Sequence, residues 1–472
     1  MIGGGLAGIA AASTLAERGF AVTLFEKSPR IGGKIGGEQI QIGGRPYEMD
    51  HGFHAFFRHY YNLSDFLRRV GADASFAPID DYAILDSEAR VWSFGDVQTT
   101  PGLNLLDLAG KDLYDLGEVL FSGARKHMNV FLEYEKEKTF DALDSITFAE
   151  WADRARLPKK LRRVLAIFAR AFFAEDDRLS AAEVVKAFHF YYLAHDHGLL
   201  YDYPTASYGG SVIKSLEDHL EGVGVTLVTN AVVHTLEPQG ATIAVDGRVF
   251  DDVVIATPAS ETRNLALRSP RLRATCPETT RKLAAMKNGQ RYAVLRIWTD
   301  KDLRAGLPVF VATERERLLD AVASYHRITA EDRAWVEARG GGAVLELHSY
   351  AVPDDLPDDA AIRDALLAEL TQFFPEVAGL RIVHEHHRVR DDFTALHVGM
   401  AKDRPGTNTE LESLYFAGDW VALPIPSMLM EGAFTSGLYA ANAILRREGL
   451  REAPIDSVPL RGLLAERKRP AA

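Results

Sequence analysis

The sequence predicts an α/β protein, and three observations carry that prediction. The chain opens on Met1-Ile2-Gly3-Gly4-Gly5-Leu6-Ala7-Gly8, a G-x-G-x-x-G turn. A strand pattern, Val22-Thr23-Leu24-Phe25, follows and ends on Glu26, 18 positions beyond the last glycine. Far down the chain, Leu414-Tyr415-Phe416-Ala417-Gly418-Asp419 reads as a strand entering a turn, and a helix opens at Met430-Glu431-Gly432-Ala433. Together these are the parts of a Rossmann-like dinucleotide-binding domain that is split along the chain.

Each part of the opening unit has a physical job. Gly3 permits the tight turn out of the first strand, and Gly5, lacking a Cβ, lets a pyrophosphate approach the backbone. Leu6 and Ala7 lead to Gly8, which lets the helix predicted over Ile9–Arg18 lie close on the sheet. The free N–H groups and positive dipole end of that helix suit phosphate. Glu26 can accept hydrogen bonds from a ribose diol, with Lys27 just beyond it. A first strand of this kind needs about five apolar residues, and only Met1 and Ile2 precede Gly3. The expectation is that the physiological protein begins several residues earlier.

Further along comes Arg30-Ile31-Gly32-Gly33-Lys34, then Met49-Asp50-His51-Gly52-Phe53-His54-Ala55-Phe56-Phe57. From about Tyr60 to Leu200 the pattern is mostly helical, with long amphipathic stretches over Leu105–Glu137 and Phe148–Phe173. Strand signals return at Val225–Thr229, Ala231–Leu236 and Ala241–Val245, and Val253–Pro258 is a buried run ended by proline. Arg291–Thr299, Ala343–Tyr350 and Ile382–Arg390 read as further strands. The dinucleotide domain is therefore assigned to residues 1–60, 205–258 and 384–450. Residues 61–204 and 259–383 form an interleaved α+β substrate domain, and 451–472 a loose, charged tail.

Composition narrows the function. The chain has 472 residues, 47% of them hydrophobic and 25% charged, as in ordinary globular proteins. A formal net charge of −12 argues against nucleic acid as a partner. One cysteine, Cys276, excludes a disulfide framework. No run reaches the ~18 apolar residues of a membrane span. The expected location is the cytoplasm, with room for peripheral membrane contact.

These motifs, in order along most of the chain, resemble the FAD-dependent amine oxidase and phytoene desaturase superfamily, whose fold is that of glutathione-reductase-like flavoproteins. Asp50–Arg58 with Tyr60-Tyr61-Asn62, and Ala417–Pro424 with Pro426, resemble the carotenoid group within it. They are most similar to the aromatising carotene desaturase/methyltransferases of the isorenieratene synthase type. The resemblance implies FAD held by both ends of the chain. Arg30 and Lys34, around Gly32 and Gly33, would flank the flavin and pyrophosphate. Asp419, after Gly418, would bond a ribityl or phosphate oxygen, and Val232 or Val233 would lie near the adenine. The helix opening at Met430, Glu431, Gly432 and Ala433 would aim its N-terminus at the flavin N1–C2=O edge, where reduced flavin carries negative charge.

The implied chemistry is hydride transfer from an apolar polyene to flavin N5, with a proton to a base or water. Phe53, Phe56 and Phe57 are candidates for the substrate cavity wall. Aromatic residues of the helical insertion, Phe168 to Tyr192, read first as core. His51 and His54 are candidate general bases, weighed evenly against structural histidines. Glu431 is a third candidate, better suited to capping its helix. An amine oxidase is the alternative reading, with Lys287 as the lysine to test. A redox-neutral isomerase or non-catalytic flavoprotein is the third. Oxygen, a quinone and a protein all remain open as electron acceptor. No metal is expected: His384 and His386 share a strand face, but no third ligand is evident. The basic run Arg154–Arg163 before an apolar helix is a candidate membrane-docking element, weighed against a solvated face.

Overall fold

Five short parallel strands form the sheet on which the nucleotide half is built. The structure is a computed structural model and describes residues 1–465. Thr23–Phe25 pairs with Thr226–Val228, and Val253–Ile255 pairs with Leu414–Phe416. Ile2 joins the two pairs, bridging Phe25 on one side and Ile255 on the other. Taken in chain order, the strands lie 3-2-1-4-5. The ligand crevice of such sheets opens beyond the carboxyl ends of the strands, where the order reverses. In this chain that point is the Gly3–Gly8 turn. The helix Leu6–Ala16 that follows is buried along its whole length. Its small residues let the last helix, Leu429–Arg447, approach so closely that a Cβ on Gly437 would strike the carbonyl of Ala7.

The second domain centres on a seven-stranded sheet. Its order is Ile382–Arg390, Tyr292–Thr299, Ala343–Ser349, Ala321–Ser324, Phe310–Thr313, Ala83–Leu85 and Val91–Ser93. One face packs Leu295, Ile297 and Leu345 against Leu366 and Leu370 of the helix Asp359–Phe373. Side chains alternate across a strand, so the neighbouring positions Arg296, Trp298, Glu346 and His348 turn to the opposite face. That face meets Tyr47 and Met49 of the hairpin Gly37–Asp50 from the nucleotide half.

Several expected boundaries move. Residue 384 falls inside the strand Ile382–Arg390, which pairs with Tyr292–Thr299 in the substrate sheet. The third nucleotide segment therefore starts after that strand. Residues 61–204 are not all helical, since Ala83–Leu85 and Val91–Ser93 join the same sheet. Residues 231–235 are irregular, and the strand there is Leu236–Gln239. The stretch Phe148–Phe173 divides into Phe148–Arg154 and Lys159–Arg170, because Pro158 cannot sit inside a helix. The tail departs from expectation as far as Ala465. Ala453 N–H donates to Asn442 (2.7 Å), Asp456 N–H to Asn62 (2.9 Å), and Gly462 N–H to the Tyr134 carbonyl (2.8 Å). Residues 466–472 lie outside the described residues. No helix among the described residues is long and apolar enough to cross a membrane.

Candidate functional site

The glycine turn is forced by contact on one side and left open on the other. A Cβ on Gly8 would run into the carbonyl oxygen of Gly3, and one on Gly3 would sit 2.8 Å from the Ala256 carbonyl. Gly5 differs: a Cβ there would meet only the Cα of Gly33, at 4.0 Å. Room is kept at the one position where a phosphate must reach the backbone. Gly5 caps the first helix with no side-chain bond, leaving its first N–H groups for an anion. Glu26 is buried, and its carboxylate accepts Gly4 N–H (2.7 Å) and Ser28 N–H (2.8 Å), which fixes it at the strand end. Ala231 N–H bonds the Glu26 carbonyl at 2.9 Å, so the chain brings Val232 and Val233 beside that strand end. Val233 is buried, while Val232 is exposed. Lys27 points outward to Glu261 at 3.3 Å.

The two ends of the chain meet where Lys34 Nζ lies 3.7 Å from Asp419 and 3.8 Å above the Phe393 ring. Gly418, with φ +146°, donates its N–H to Ser436 at 2.6 Å, and Trp420 folds over it. Gly32 and Gly33 both have positive φ and bring this segment against Gly4 and Gly5. Arg30 is already engaged by protein groups. Its guanidinium is bound by Glu217 (2.8 Å) and the Gly209 carbonyl (2.8 Å), so it braces the helix Lys214–Gly222. Glu431 is also committed. It is buried and accepts Asn62 N–H (3.0 Å), Asn62 Nδ2 (2.7 Å) and Leu63 N–H (3.0 Å), capping the helix Tyr61–Arg69. Burial raises its carboxyl to about 7 against those bonds. Both oxygens are occupied, and the helix they cap is Tyr61–Arg69, whereas the sequence led one to expect Glu431's own. The last helix itself has no side-chain cap at Met428, so Met430, Gly432 and Ala433 lie in a first turn whose N–H groups can face a ligand.

The loop Asp50–Phe57 crosses from this site to the substrate sheet. His51 bonds the Gly33 backbone, and burial with the nearby Arg388 charge lowers its imidazole to about 4. His54 is lowered to about 4 as well, chiefly by burial. Its Nδ1 lies 2.8 Å from the Gly52 carbonyl, which can only accept, so Nδ1 carries the proton and Nε2 the lone pair. Tyr208 closes the loop, its hydroxyl accepting His54 N–H (3.0 Å) and its N–H donating to Asp50 (2.9 Å). Burial lifts the Asp50 carboxyl to about 7, opposed by Arg296. Phe53 stacks on Phe310 (4.9 Å), and Phe57 lies 4.9 Å from Tyr191. Both rings also touch Tyr201. Phe56 faces the other way, onto Phe76 at 4.7 Å, and belongs to core packing.

Other sequence candidates lie elsewhere. Lys287 is exposed. His386 sits 3.0 Å from Glu38 in an ordinary strand pairing. Three cations of the basic run are paired, Lys160 with Asp112 (2.6 Å), Arg162 with Asp153, and Arg163 with Glu314 (2.9 Å), while Arg156 and Lys159 are exposed. Sequence reasoning missed Arg296, Glu346 and His348, because an isolated polar residue in an apolar strand carries no local sign of what it meets.

A glycine cradle, an acidic strand end and a second, uncapped helix N-terminus define a two-domain dinucleotide-dependent oxidoreductase. The chain belongs to the family of flavin containing amine oxidoreductases, which it matches over residues 6–445. It is similar to the carotenoid phi-ring synthase of Streptomyces griseus, 34% identical over all of this chain and 92% of the relative. The carotenoid phi-ring synthase of Chlorobaculum tepidum is 28% identical, with 98% of this chain and 91% of the relative covered. Among solved structures, cyclohexylamine oxidase from Brevibacterium oxydans superposes with a TM-score of 0.68 at 16% identity, covering 95% of this chain and 98% of that one. The protein is an FAD-dependent oxidoreductase of the carotenoid-desaturase-like branch. The open side of Gly5 and the two free helix N-termini fit that cofactor.

Proposed function

We propose that this enzyme desaturates the end ring of a carotene and aromatises it. One observation supports the reading: His54 is held on the loop Asp50–Phe57, whose His51 bonds the Gly33 backbone and whose Phe53 and Phe57 rings meet at Tyr201. The whole-length likeness to two phi-ring synthases supports it. When bound, FAD supplies the hydride acceptor. The Gly3–Gly8 turn would hold its pyrophosphate, Glu26 its ribose, and the first turn of the last helix its flavin edge. Each desaturation would remove a hydride and a proton from neighbouring ring carbons, and an external electron acceptor would have to reoxidise the bound cofactor between one desaturation and the next. Aromatising a cyclohexene ring with a geminal dimethyl carbon removes four hydrogens as two such pairs and shifts one methyl to a neighbouring carbon. Nε2 of His54 takes the proton. His51 faces the Arg388 and Glu38 charges, while His54 feels Glu346 and lies edge-on to Tyr208 at 5.5 Å; the fixed Nδ1 proton of His54 favours it as the base. Phe53, Phe57 and Tyr201 exclude water and offer π-faces to a cationic ring.

The carotene would arrive from a lipid surface. The contact falls on the helices Leu103–Gly110 and Leu116–Phe121, where Leu103, Leu106 and Leu120 are exposed, and Phe121 is 94% exposed. Exposed Arg125 and Lys126 follow directly and suit anionic headgroups. This replaces the basic run at Arg154–Arg163, whose charges Lys160, Arg162 and Arg163 are already paired.

Anaerobic addition of solubilised carotenes, and separately of amines, to the oxidised holoenzyme tests the reading. Bleaching of the flavin spectrum by a carotene with a β-ring is expected. Bleaching by amines alone would overturn it.

A further inference from the structure

The substrate sheet buries an ion pair that its core does not need. Arg296 and Glu346 face each other across paired strands, with exposures of 0% each. Burying two charges is expensive, and such a pair is often no more stabilising than apolar residues of the same size. The way Glu346 divides its oxygens points to its use. Oε2 takes both Arg296 Nε (2.8 Å) and Nη2 (2.6 Å). Oε1 is turned the other way, accepting the Phe53 N–H at 2.8 Å and lying 3.1 Å from His348 Nε2. Phe53 is the residue before His54. Gly52, whose carbonyl holds His54 Nδ1, has φ +111° and lies flat on the sheet, within 4 Å of Val294, Glu346 and His348 for an added Cβ. The Arg296 guanidinium is itself held from behind. It lies 3.5 Å over the Tyr325 ring, and its Nη1 donates to the Tyr47 hydroxyl at 3.4 Å. Tyr47 in turn donates to Asp332 at 2.6 Å. Burial alone would raise the Glu346 carboxyl, but Arg296 overcomes it and holds the group down at about 2. Glu346 is therefore a permanent anion aimed at one backbone N–H.

We propose that Glu346 is a positioning residue, which sets the His54 imidazole by gripping the Phe53 N–H from the substrate sheet while Arg296 keeps it aimed. The inference rests on the reading of His54 as the base, but its structural part can be measured without any substrate. Hydrogen–deuterium exchange over residues 50–57 of the holoenzyme reads the grip directly. Glu346→Ala should speed exchange in that segment and slow flavin reduction by carotene roughly tenfold or more, with little change in the half-saturating concentration. Glu346→Gln keeps a carbonyl oxygen for the Phe53 N–H and should restore both in large part. Glu346→Asp keeps the charge beside Arg296 but withdraws the oxygen from Phe53. It should loosen the loop as Ala does, and it serves if the Ala variant fails to fold. Tyr47→Phe cuts the same network behind Arg296 and should lower the unfolding midpoint without changing exchange at 50–57. Wild-type exchange in both Glu346→Ala and Glu346→Asp would overturn the proposal. So would equal loosening of the loop by Tyr47→Phe, which would make the network merely structural. Wild-type flavin unmoved by any carotene would sink the carotene reading and leave the exchange result to judge the grip.

Discussion

The two sheets of this protein bury opposite things. The five-stranded parallel sheet buries backbone and small side chains: glycines at the turn, an alanine-rich helix and a single carboxylate, Glu26, at a strand end. The seven-stranded sheet buries charge, with Arg296, Glu346 and His348 on the face toward the cofactor half. The first sheet makes its site by removing atoms so that a ligand can come close. The second makes its contribution by fixing an ionised group where no water can loosen it. One kind of site is broken by adding a methyl group, the other by withdrawing a buried oxygen.

That contrast can be broken by experiment. Gly8→Val has nowhere to place its side chain against the Gly3 carbonyl. Purified protein should carry roughly tenfold less flavin or worse, read from its visible absorbance. Normal flavin content would show that the turn tolerates atoms after all. Arg296→Ala leaves Glu346 buried and unpaired, and should cost about 3–5 kcal/mol in a denaturant titration while the remaining folded protein still binds flavin. Loss of flavin with unchanged stability would erase the distinction between the sheets. A substitution remote from both sheets sets the scale: Phe121→Ser should weaken recovery on anionic vesicles by about 2 kcal/mol of lost apolar burial, with flavin content and stability unchanged. Unaltered recovery would remove the lipid contact from these helices.

The smallest effect expected is on the pH profile. His54 is neutral above about pH 4. The change in flavin reduction between about pH 6 and 8 should therefore be only the modest one from the Asp50 and Glu431 carboxyls, both at about 7. A steep fall should come only as pH drops toward about 4 and the base is protonated. A limb near pH 6.5 that survives both Asp50→Asn and Glu431→Gln would mean that the working base is exposed to water.

The parallel sheet was readable because its geometry restricts residue type. Gly3 and Gly8 are demanded by backbone contacts, Glu26 sits at a strand end, and Gly5 is left open between them, so their spacing alone locates the turn. Arg30 reads from sequence as a group for a phosphate, and only the fold shows that Glu217 also holds it. The substrate sheet hid its chemistry for the opposite reason. Arg296 and Glu346 are isolated polar residues in apolar strands, and nothing local reveals that the hairpin Gly37–Asp50 covers them. Phe53 and Phe57 were separable from Phe56 only once the loop's direction was known. The tail was expected to be loose for its prolines and charges, yet backbone N–H groups at Ala453, Asp456 and Gly462 find partners on Asn442, Asn62 and Tyr134.

The contact between Ala7 and Gly437 also has a consequence for how the protein is made. The first helix finds its partner 430 residues later, at the point where Gly437 lies against the Ala7 carbonyl. At roughly 5–20 residues per second of synthesis, about 20–90 s separate the two halves leaving the ribosome. Through that interval the nascent chain displays an alanine-rich apolar helix and an unfinished sheet with no neighbour to cover them. Cofactor loading must therefore follow synthesis.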